Sequence, residues 1–240
     1  MRSRISVCAV AALALALATA ASADGPVAHW RFDKLDNGII RDVTGNGHDA
    51  TLSVAEGEPQ SVDGPFGPAM AFTADQCAAF TVAKSSDLNF AGAFTVMAWV
   101  KPAARNGTCG LVCFKGDKSG DPPWPGWRLR YFWTMAGFEY GTPDGKEVRV
   151  TAEPGACEPG FWSHVAAVYD TKTVTLYVDG AQVAEGPAGP IAPQLASRQA
   201  VLCNYIGRKN AYPLEGAIGD TRVFASALSG EDVYRAATGH

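Results

Sequence analysis

The chain has 240 residues, with 26 glycines, 15 prolines and a formal net charge of −4. Its mild acidity and its lack of a basic run give no support to binding of nucleic acid or of an anionic membrane surface. The length suits one all-β domain with a large core, and the glycines, prolines and aromatic residues are typical of short strands joined by sharp turns.

The amino-terminal segment, residues 1–23, predicts a secretory signal peptide. Arg2 and Arg4 precede an Ala/Leu-rich run, and Ala21-Ser-Ala23 has small residues at the spacing that a signal peptidase requires. The alternative is an uncleaved anchor helix. With the signal removed, residues 24–240 form one domain of 217 residues and net charge −6. We therefore expect a secreted protein, extracellular or periplasmic, with no membrane insertion after cleavage.

The first half of the chain predicts short strands and one long interior strand. The run 94–100, Phe-Thr-Val-Met-Ala-Trp-Val, is apolar on both faces, which indicates a strand covered on both sides. The segment 57–68 is rich in Gly and Pro and is predicted as a loop. Shorter strands are predicted at 27–32, 69–72 and 78–82.

In the second half, residues 162–170 predict another interior strand, and residues 174–180 alternate between apolar and polar side chains as a half-buried strand does. Thr142-Pro-Asp-Gly145 predicts a hairpin turn. A short carboxy-terminal helix is predicted after Ser229, with Asp232 three residues further on. The other predicted strands are 110–115, 127–133, 138–140, 147–150, 181–184, 200–207 and 217–224.

Seven motifs in this order resemble those of the LamG-like (laminin G-like) jelly-roll domain, and together they cover nearly all of residues 27–236. They are Trp30-Arg-Phe-Asp33, Asp42-Val-Thr-Gly-Asn-Gly-His-Asp-Ala50, Phe94-Thr-Val-Met-Ala-Trp-Val-Lys-Pro102, Trp162-Ser-His-Val-Ala166, Leu176-Tyr-Val-Asp-Gly180, Tyr205-Ile-Gly-Arg208 and Gly216-Ala-Ile-Gly-Asp-Thr-Arg-Val-Phe224.

The resemblance implies an all-β fold, a concanavalin A-like jelly-roll sandwich of two antiparallel sheets, here followed by the short helix. It also implies that Trp30, Trp99 and Trp162 are structural. Exported bacterial members of the family are mostly carbohydrate-binding or adhesion modules, frequently with Ca²⁺, but the fold alone does not determine the function.

The residues give little support to catalysis. Glycoside hydrolases of this fold place two or three carboxylates on alternate residues of one strand, whereas Glu139, Glu147, Asp170 and Asp179 are scattered. The Arg, His, Gln and Tyr group of the fold's polysaccharide lyases is also missing. His164 lies on an apolar strand, where a hydrogen-bonded core histidine is the commoner outcome. We expect a non-catalytic protein, with a lyase or hydrolase as the alternative.

A sugar-binding surface is predicted around Trp124, because the prolines beside it hold the ring in a stiff loop. Trp127, Arg128, Arg130 and Tyr131 follow it and would extend the surface, as would Trp133. For Trp127 and Trp133 the alternative is core packing, since aromatic residues on strands usually bury.

Calcium is the candidate cofactor. Asp42, with the carbonyls of the turn after it, could supply one side of a site, because Ca²⁺ prefers carboxylate and carbonyl oxygens. The resemblance brings the first and last strands together, which makes Asp33 and Asp220 candidates for the other side. The alternative is that Asp42 bonds its own turn and Asp220 pairs with Arg222.

Five cysteines follow the predicted signal. The strand order of the resembled family brings the loop after Pro102 near the loop before Phe161, which implies a disulfide between Cys109 and Cys157. A second disulfide, between Cys113 and Cys203, would leave Cys77 without a disulfide partner.

The sequence thus predicts a secreted, non-catalytic module that binds a glycan or a glycosylated surface, with calcium as a candidate ligand. The alternatives are an enzyme of the same fold that cleaves polysaccharide, and a structural adhesion module that binds protein. The sequence indicates neither an oligomeric state nor a particular glycan.

Overall fold

The computed structural model describes residues 25–53, 57–76, 78–104, 108–114, 124–195, 198–205 and 212–239. The predicted signal peptide and Cys77 lie outside these residues. The described part contains the strands β1 (Ala28–Trp30), β2 (Ile39–Ile40), β3 (Ala50–Ser53), β4 (Gln60–Gly64), β5 (Gly67–Phe72), β6 (Ala79–Val82), β7 (Phe94–Pro102), β8 (Thr108–Cys113), β9 (Trp127–Phe132), β10 (Met135–Gly141), β11 (Glu147–Thr151), β12 (Ser163–Tyr169), β13 (Thr173–Val178), β14 (Ala181–Pro187), β15 (Val201–Leu202) and β16 (Gly216–Phe224). Two short 3₁₀ helices, Ala74–Gln76 and Ser85–Leu88, and one α-helix, α1 (Gly230–Thr238), complete it.

The strands form two eight-stranded antiparallel sheets. The first sheet has the order β14-β13-β12-β7-β16-β5-β4, with β1 added beside β16. The second has the order β11-β10-β9-β8-β15-β6-β3-β2. The two sheets pack face to face, which confirms the predicted jelly-roll sandwich.

An aromatic cluster fills the core between the sheets. The Phe94 ring of the first sheet lies 4.8 Å from Trp127 of the second sheet and 5.5 Å from Tyr169, measured between centroids. Trp127 is fully buried, and its Nε1 donates to the Leu88 carbonyl at 3.1 Å. Aromatic pairs of this kind add about 0.5–1.5 kcal/mol each beyond the area that they bury.

The two interior strands predicted from the sequence pair with each other. β7 and β12 are antiparallel in register from Val100 opposite Ser163 to Phe94 opposite Tyr169. Their inward side chains lie in the core, and on the opposite face Met97, Ala166 and Val168 pack against α1. Both faces are thus covered, which explains why the two strands are apolar on both sides.

Helix α1 begins and ends as its sequence predicts. The Ser229 side chain accepts a hydrogen bond from the Asp232 amide at 3.1 Å, which satisfies one of the unpaired amides of the first turn. Gly239 adopts φ 74° at the other end, and its amide donates to the Arg235 carbonyl. Within the described residues, no helix is long and apolar enough to cross a membrane.

Three strands were missed, namely β2, β3 and β4. β4 and the beginning of β5 lie in the predicted loop at 57–68 and form a hairpin at the edge of the first sheet. β4 has no fully buried residue, because an edge strand outside the core has little apolar surface to cover. The alternation that identifies a strand is therefore absent from its sequence.

Candidate functional site

A pocket of about 440 Å³ opens on the outer face of the first sheet, away from the core. We call it the first-sheet pocket. Part of its lining is apolar, and we call this part the apolar wall: Pro65, Phe66, Pro68 and Trp99. The polar part, which we call the polar wall, comprises His29, Arg31, Asp33, Asp220 and Arg222.

Strand alternation places Trp99 in the pocket. Its neighbours Ala98 and Val100 point into the core, so Trp99 points outward, on the same face as Met97. Whereas α1 covers Met97, the Trp99 ring stays partly exposed and lies 5.7 Å from the Phe66 ring, with the planes at 77°. The prediction that Trp99 is only structural is therefore incomplete, since its ring also lines the pocket.

The β4–β5 turn forms the rim. Phe66 is 48% exposed at this turn. A Cβ added at Gly64 would lie 2.8 Å from the Gly67 carbonyl oxygen, so this tight turn requires glycine there. The Trp162 Nε1 donates to the Asp63 carbonyl at 3.2 Å and ties the hairpin to the sheet. The rim and its aromatic side chain are thus held in place.

An ionic network forms the polar wall. His29 Nε2 lies 2.7 Å from Asp220 Oδ2, and Arg222 Nε lies 2.6 Å from Asp220 Oδ1. Burial alone would raise the pKa of Asp220, but the hydrogen bond from His29 and the charge and hydrogen bond of Arg222 outweigh it and lower the pKa. Both Asp220 oxygens are therefore engaged by neighbouring side chains.

His164 lies behind this wall, opposite Trp99 in the β7–β12 register. It is only 2% exposed, and burial, followed by the charge of Arg222, lowers its pKa to about 4. It is buried as predicted. However, its ring packs on the outer face against Trp99, at 5.4 Å, and its Nδ1 has no hydrogen-bond partner in the described structure.

Three of the residues predicted to form a sugar-binding surface after Trp124 are buried, so the prediction is wrong for them. Trp127 and Tyr131 are 0% and 2% exposed, because the alternation of β9 turns both rings into the core. Arg128 points outward but is also buried, with its guanidinium 4.1 Å from the centre of the Tyr205 ring. These three side chains cannot contact a ligand in this structure.

Arg128 belongs to a buried network that we call the second-sheet ion cluster, formed by Arg128, Arg130, Glu139 and Arg149. Glu139 is 1% exposed and is paired with all three arginines. The Arg130 guanidinium also stacks on Phe132, 3.7 Å from the ring centre. The arginines predicted to bind a ligand thus neutralise a carboxylate of the protein.

The other two aromatic residues of the predicted surface, Trp124 and Trp133, are not fully buried, and ligand binding by either stays a prediction. Trp124 is half-buried, and its carbonyl oxygen lies against Gly141, where an added Cβ would approach it to 1.9 Å. Residues 115–123, which precede it, lie outside the described residues. Trp133, at the β9–β10 turn, is 64% exposed, so the alternative that it packs in the core is wrong.

The three aspartates predicted to bind calcium do not meet in one site. Asp42 accepts hydrogen bonds from the amides of His29, Thr44 and His48 and from the Thr44 hydroxyl, so it bonds its own turn. Burial alone would raise the pKa of Asp42, but these hydrogen bonds lower it. Asp33 is exposed and Asp220 is paired as above.

No group of three His, Cys, Asp or Glu side chains in the described ranges could hold a metal ion. Asp33, Asp42 and Asp220 therefore do not fit a calcium site. A role for calcium elsewhere in the chain stays a prediction, and the proposed binding experiment tests it with a chelator.

The predicted disulfides are corrected too. Cys109, Cys157 and Cys203 are buried free thiols, and Cys113 is buried as well, so neither predicted bridge is present. Cys113 is in register with Val201, so Cys203 lies further along, where its amide donates to Leu111. Cys109, on β8, and Cys157, in the loop before β12, both lie beside Tyr131, whose pKa is raised by burial and, less strongly, by both thiols. Burial raises the pKa of Cys109 and Cys157 to about 12.

The sequence shows only part of this pocket. The His29–Asp220 contact joins residues 191 positions apart through the pairing of β1 with β16. The family resemblance predicted that the first and last strands lie together, but from it we expected a metal site and not a histidine–carboxylate pair. Phe66 lies in a segment predicted as a loop, and no feature of the sequence predicted that it lines the pocket.

Together, the two-sheet topology and the helix on the outer face define a jelly-roll domain of the lectin type. A family model, Laminin_G_3 of the concanavalin A-like lectin/glucanases superfamily, matches residues 75–234. The chain therefore belongs to this family. A search of curated proteins found no match.

Solved structures share the fold at low sequence identity. The binding domain of Paraclostridial Mosquitocidal Protein 1 superposes with a TM-score of 0.66 at 17% identity, over 90% of this chain and 52% of that one. The binding domain of botulinum neurotoxin serotype D/C gives 0.63 at 13%, with the same coverage. The chain thus spans about half the length of these two toxin domains.

Domain 4 of AbnA, a GH43 extracellular arabinanase from Geobacillus stearothermophilus solved in complex with arabinotriose, gives a TM-score of 0.63 at 20% identity. The match covers 89% of this chain and 98% of that domain. At these identities the similarity shows the fold and not the ligand.

Proposed function

We propose that this protein is a secreted, non-catalytic carbohydrate-binding domain whose sugar site is the first-sheet pocket. The observation that carries the proposal is the mixed lining of the pocket. Trp99 and Phe66 supply apolar rings, and Arg222, Arg31 and Asp33 supply hydrogen-bonding groups. A sugar ring has this same division between an apolar C–H face and a polar hydroxyl edge.

The size and composition of the pocket support this assignment. Small-molecule sites generally occupy about 300–1,000 Å³ and combine apolar lining with a few placed polar groups. The Phe66 ring is exposed and held by a fixed hairpin, so little conformational entropy would be lost when a ligand packs against it.

Some relatives of the same fold are described with sugars. The AbnA domain was solved with arabinotriose, and a binding domain of botulinum neurotoxin DC was solved with SialylT. Those sugars are ligands of those proteins, and they make carbohydrate the first ligand class to test for this chain.

The environment of the carboxylates supports a non-catalytic role. Glu139 is buried among three guanidinium groups, and Asp220 has both oxygens engaged by His29 and Arg222. A glycosidase requires one carboxylic acid with a raised pKa facing a second carboxylate across the substrate. The pKa of Asp220 is lowered and not raised, which is unsuited to an acid catalyst.

A glycan array tests the function directly. The protein without residues 1–23 is applied with calcium and again with a chelator, and the bound glycans are incubated with it and assayed for new reducing ends and unsaturated products. We expect binding in both conditions and no cleavage. Binding that disappears with the chelator would establish a calcium site, cleavage would establish an enzyme, and binding to no glycan would exclude the proposed function.

Secretion is tested on the same protein. Expressed with its full amino terminus in a secreting host, it should appear outside the cytoplasm with a new amino terminus at Asp24, as measured by intact mass. A product that retains residues 1–23 in the membrane would show an uncleaved anchor.

A further inference from the structure

We infer that the first-sheet pocket selects uncharged sugars and discriminates against glycans that carry carboxylate or sulfate groups. This inference rests on the proposed function, and it specifies the class of sugar that the same site accepts. It follows from the balance of charge on the polar wall and over the whole chain.

The arginines of the polar wall are matched by aspartates. Arg222 is paired with Asp220 at 2.6 Å, and the lining also contains one further arginine, Arg31, and one further aspartate, Asp33. An anionic group that approached Arg222 would also approach Asp220, and the formal charges of the two arginines and the two aspartates sum to zero. Because opposite charges at similar distances largely cancel, the wall offers hydrogen bonds without a net attraction for an anion.

The groups that stay available suit hydroxyls. Arg222 and Arg31 are hydrogen-bond donors in the lining of the pocket, and Asp33 is an exposed acceptor. A sugar hydroxyl is both donor and acceptor and can bond both kinds of group, whereas a carboxylate or sulfate only accepts. A neutral ring therefore uses more of this wall than an acidic one.

Long-range electrostatics act in the same direction. The chain has a formal net charge of −4, so an acidic polysaccharide approaching it is repelled and not steered toward the pocket. The local balance and the overall charge are independent observations, and both favour an uncharged ligand.

The test compares two panels of oligosaccharides at pH 7.5. One contains neutral arabinan, xylan, glucan and galactan fragments, and the other contains oligogalacturonates and sialylated and sulfated oligosaccharides. Affinities are measured by calorimetry at 20 and 500 mM NaCl. We expect binding to the neutral panel with a change in Kd of less than about twofold between the two salt concentrations, since salt screens only interactions between charges.

Each outcome has a distinct meaning. Tightest binding within the acidic panel, or a Kd for the neutral ligand that rises about fivefold or more with salt, would overturn the inference but leave the carbohydrate-binding function. Binding to neither panel would overturn the function and the inference with it.

A charge substitution tests whether the pocket itself sets the selectivity. Asp33→Lys should allow binding of acidic fragments at 20 mM NaCl that the wild type does not bind. Asp87→Lys makes the same charge change at an exposed residue outside the pocket and should not. If both variants gain acidic ligands equally, or if Asp33→Lys gains none, the charge balance of the pocket does not determine the selectivity.

Discussion

At the scale of single residues, the buried His164 beside the first-sheet pocket is expected to lower the stability of the fold at acidic pH. It is buried beside Trp99 with Nδ1 unpaired, and its pKa is about 4 in the folded protein. The unfolded chain has an ordinary value of about 6.5. Between these two pH values the unfolded state binds a proton that the folded state does not, so protonation favours unfolding as the pH falls.

His164→Gln should therefore flatten the pH dependence of stability. In the wild type, the free energy of unfolding should fall by roughly 3 kcal/mol as the pH decreases from 6.5 to 4. Above pH 6.5, where His164 is neutral in both the folded and the unfolded state, none of this stability is lost. The variant should lack that decrease. Urea titrations at pH 7, 6, 5 and 4 measure it, and parallel curves for the two proteins would show that His164 does not titrate in this window.

The carboxylates with lowered pKa act at more acidic pH. Asp42 and Asp220 have pKa values below the usual 3.8, so their stabilising contributions are present above that value and are lost only as the pH falls below it. The pH range in which His164 titrates therefore does not overlap that of the two aspartates. Comparison of the wild type with His164→Gln isolates the contribution of His164 to stability.

At the scale of elements, the second-sheet ion cluster joins β9, β10 and β11 on the outer face of their sheet. Glu139 on β10 faces Arg128 on β9, its register partner, and also reaches Arg149 on β11. One buried carboxylate thus compensates guanidinium groups on three strands. Removing it would leave Arg128 charged and buried without its counter-ion, which is far more costly than losing a surface pair.

Glu139→Gln should lower the free energy of unfolding by about 3 kcal/mol or more, because Gln keeps the size of the side chain but not its charge. Glu231→Gln is the matched control, since Glu231 forms an exposed pair with Arg235 on α1, and it should change stability by less than about 1 kcal/mol. Chemical denaturation of the two variants measures the difference. Equal effects would show that the cluster is no more stabilising than a surface ion pair.

The elements also show how much of the fold the sequence predicts. β7 and β12 follow from apolar runs that are covered on both faces, their pairing follows from the family resemblance, and α1 follows from its Ser229 cap. The β4–β5 hairpin does not, because an edge strand that buries little leaves no pattern. Since that hairpin carries Phe66, the error in one element also concealed one wall of the site.

The site was harder to predict than the fold for a related reason. The residues that line the pocket come from β1, the β4–β5 turn, β7 and β16, and each has an ordinary structural explanation in its own segment. Only the sheet order brings them together. By contrast, the sequence after Trp124 combines Trp, Arg and Tyr residues like a binding site, but strand alternation and the ion cluster bury most of them.

At the scale of the whole molecule, the two outer faces of the sandwich differ. The second sheet buries Arg128 between Glu139 and Tyr205. The first sheet is covered by α1 over Met97 and by the β4–β5 hairpin near Trp99, and the pocket opens beside them. The proposed assignment of ligand binding to the first sheet rests on this pocket.

Calorimetric titration of the pocket variant tests this central claim most directly. With the oligosaccharide identified on the array, Phe66→Ala should weaken binding about tenfold or more, as expected when an aromatic contact in a binding site is removed. Phe161→Ala removes a more exposed ring, 70% accessible, that does not line the pocket, and it should leave the affinity within about twofold of wild type. Unchanged binding by Phe66→Ala, with both variants folded by circular dichroism, would contradict the assignment of the sugar site to the first-sheet pocket.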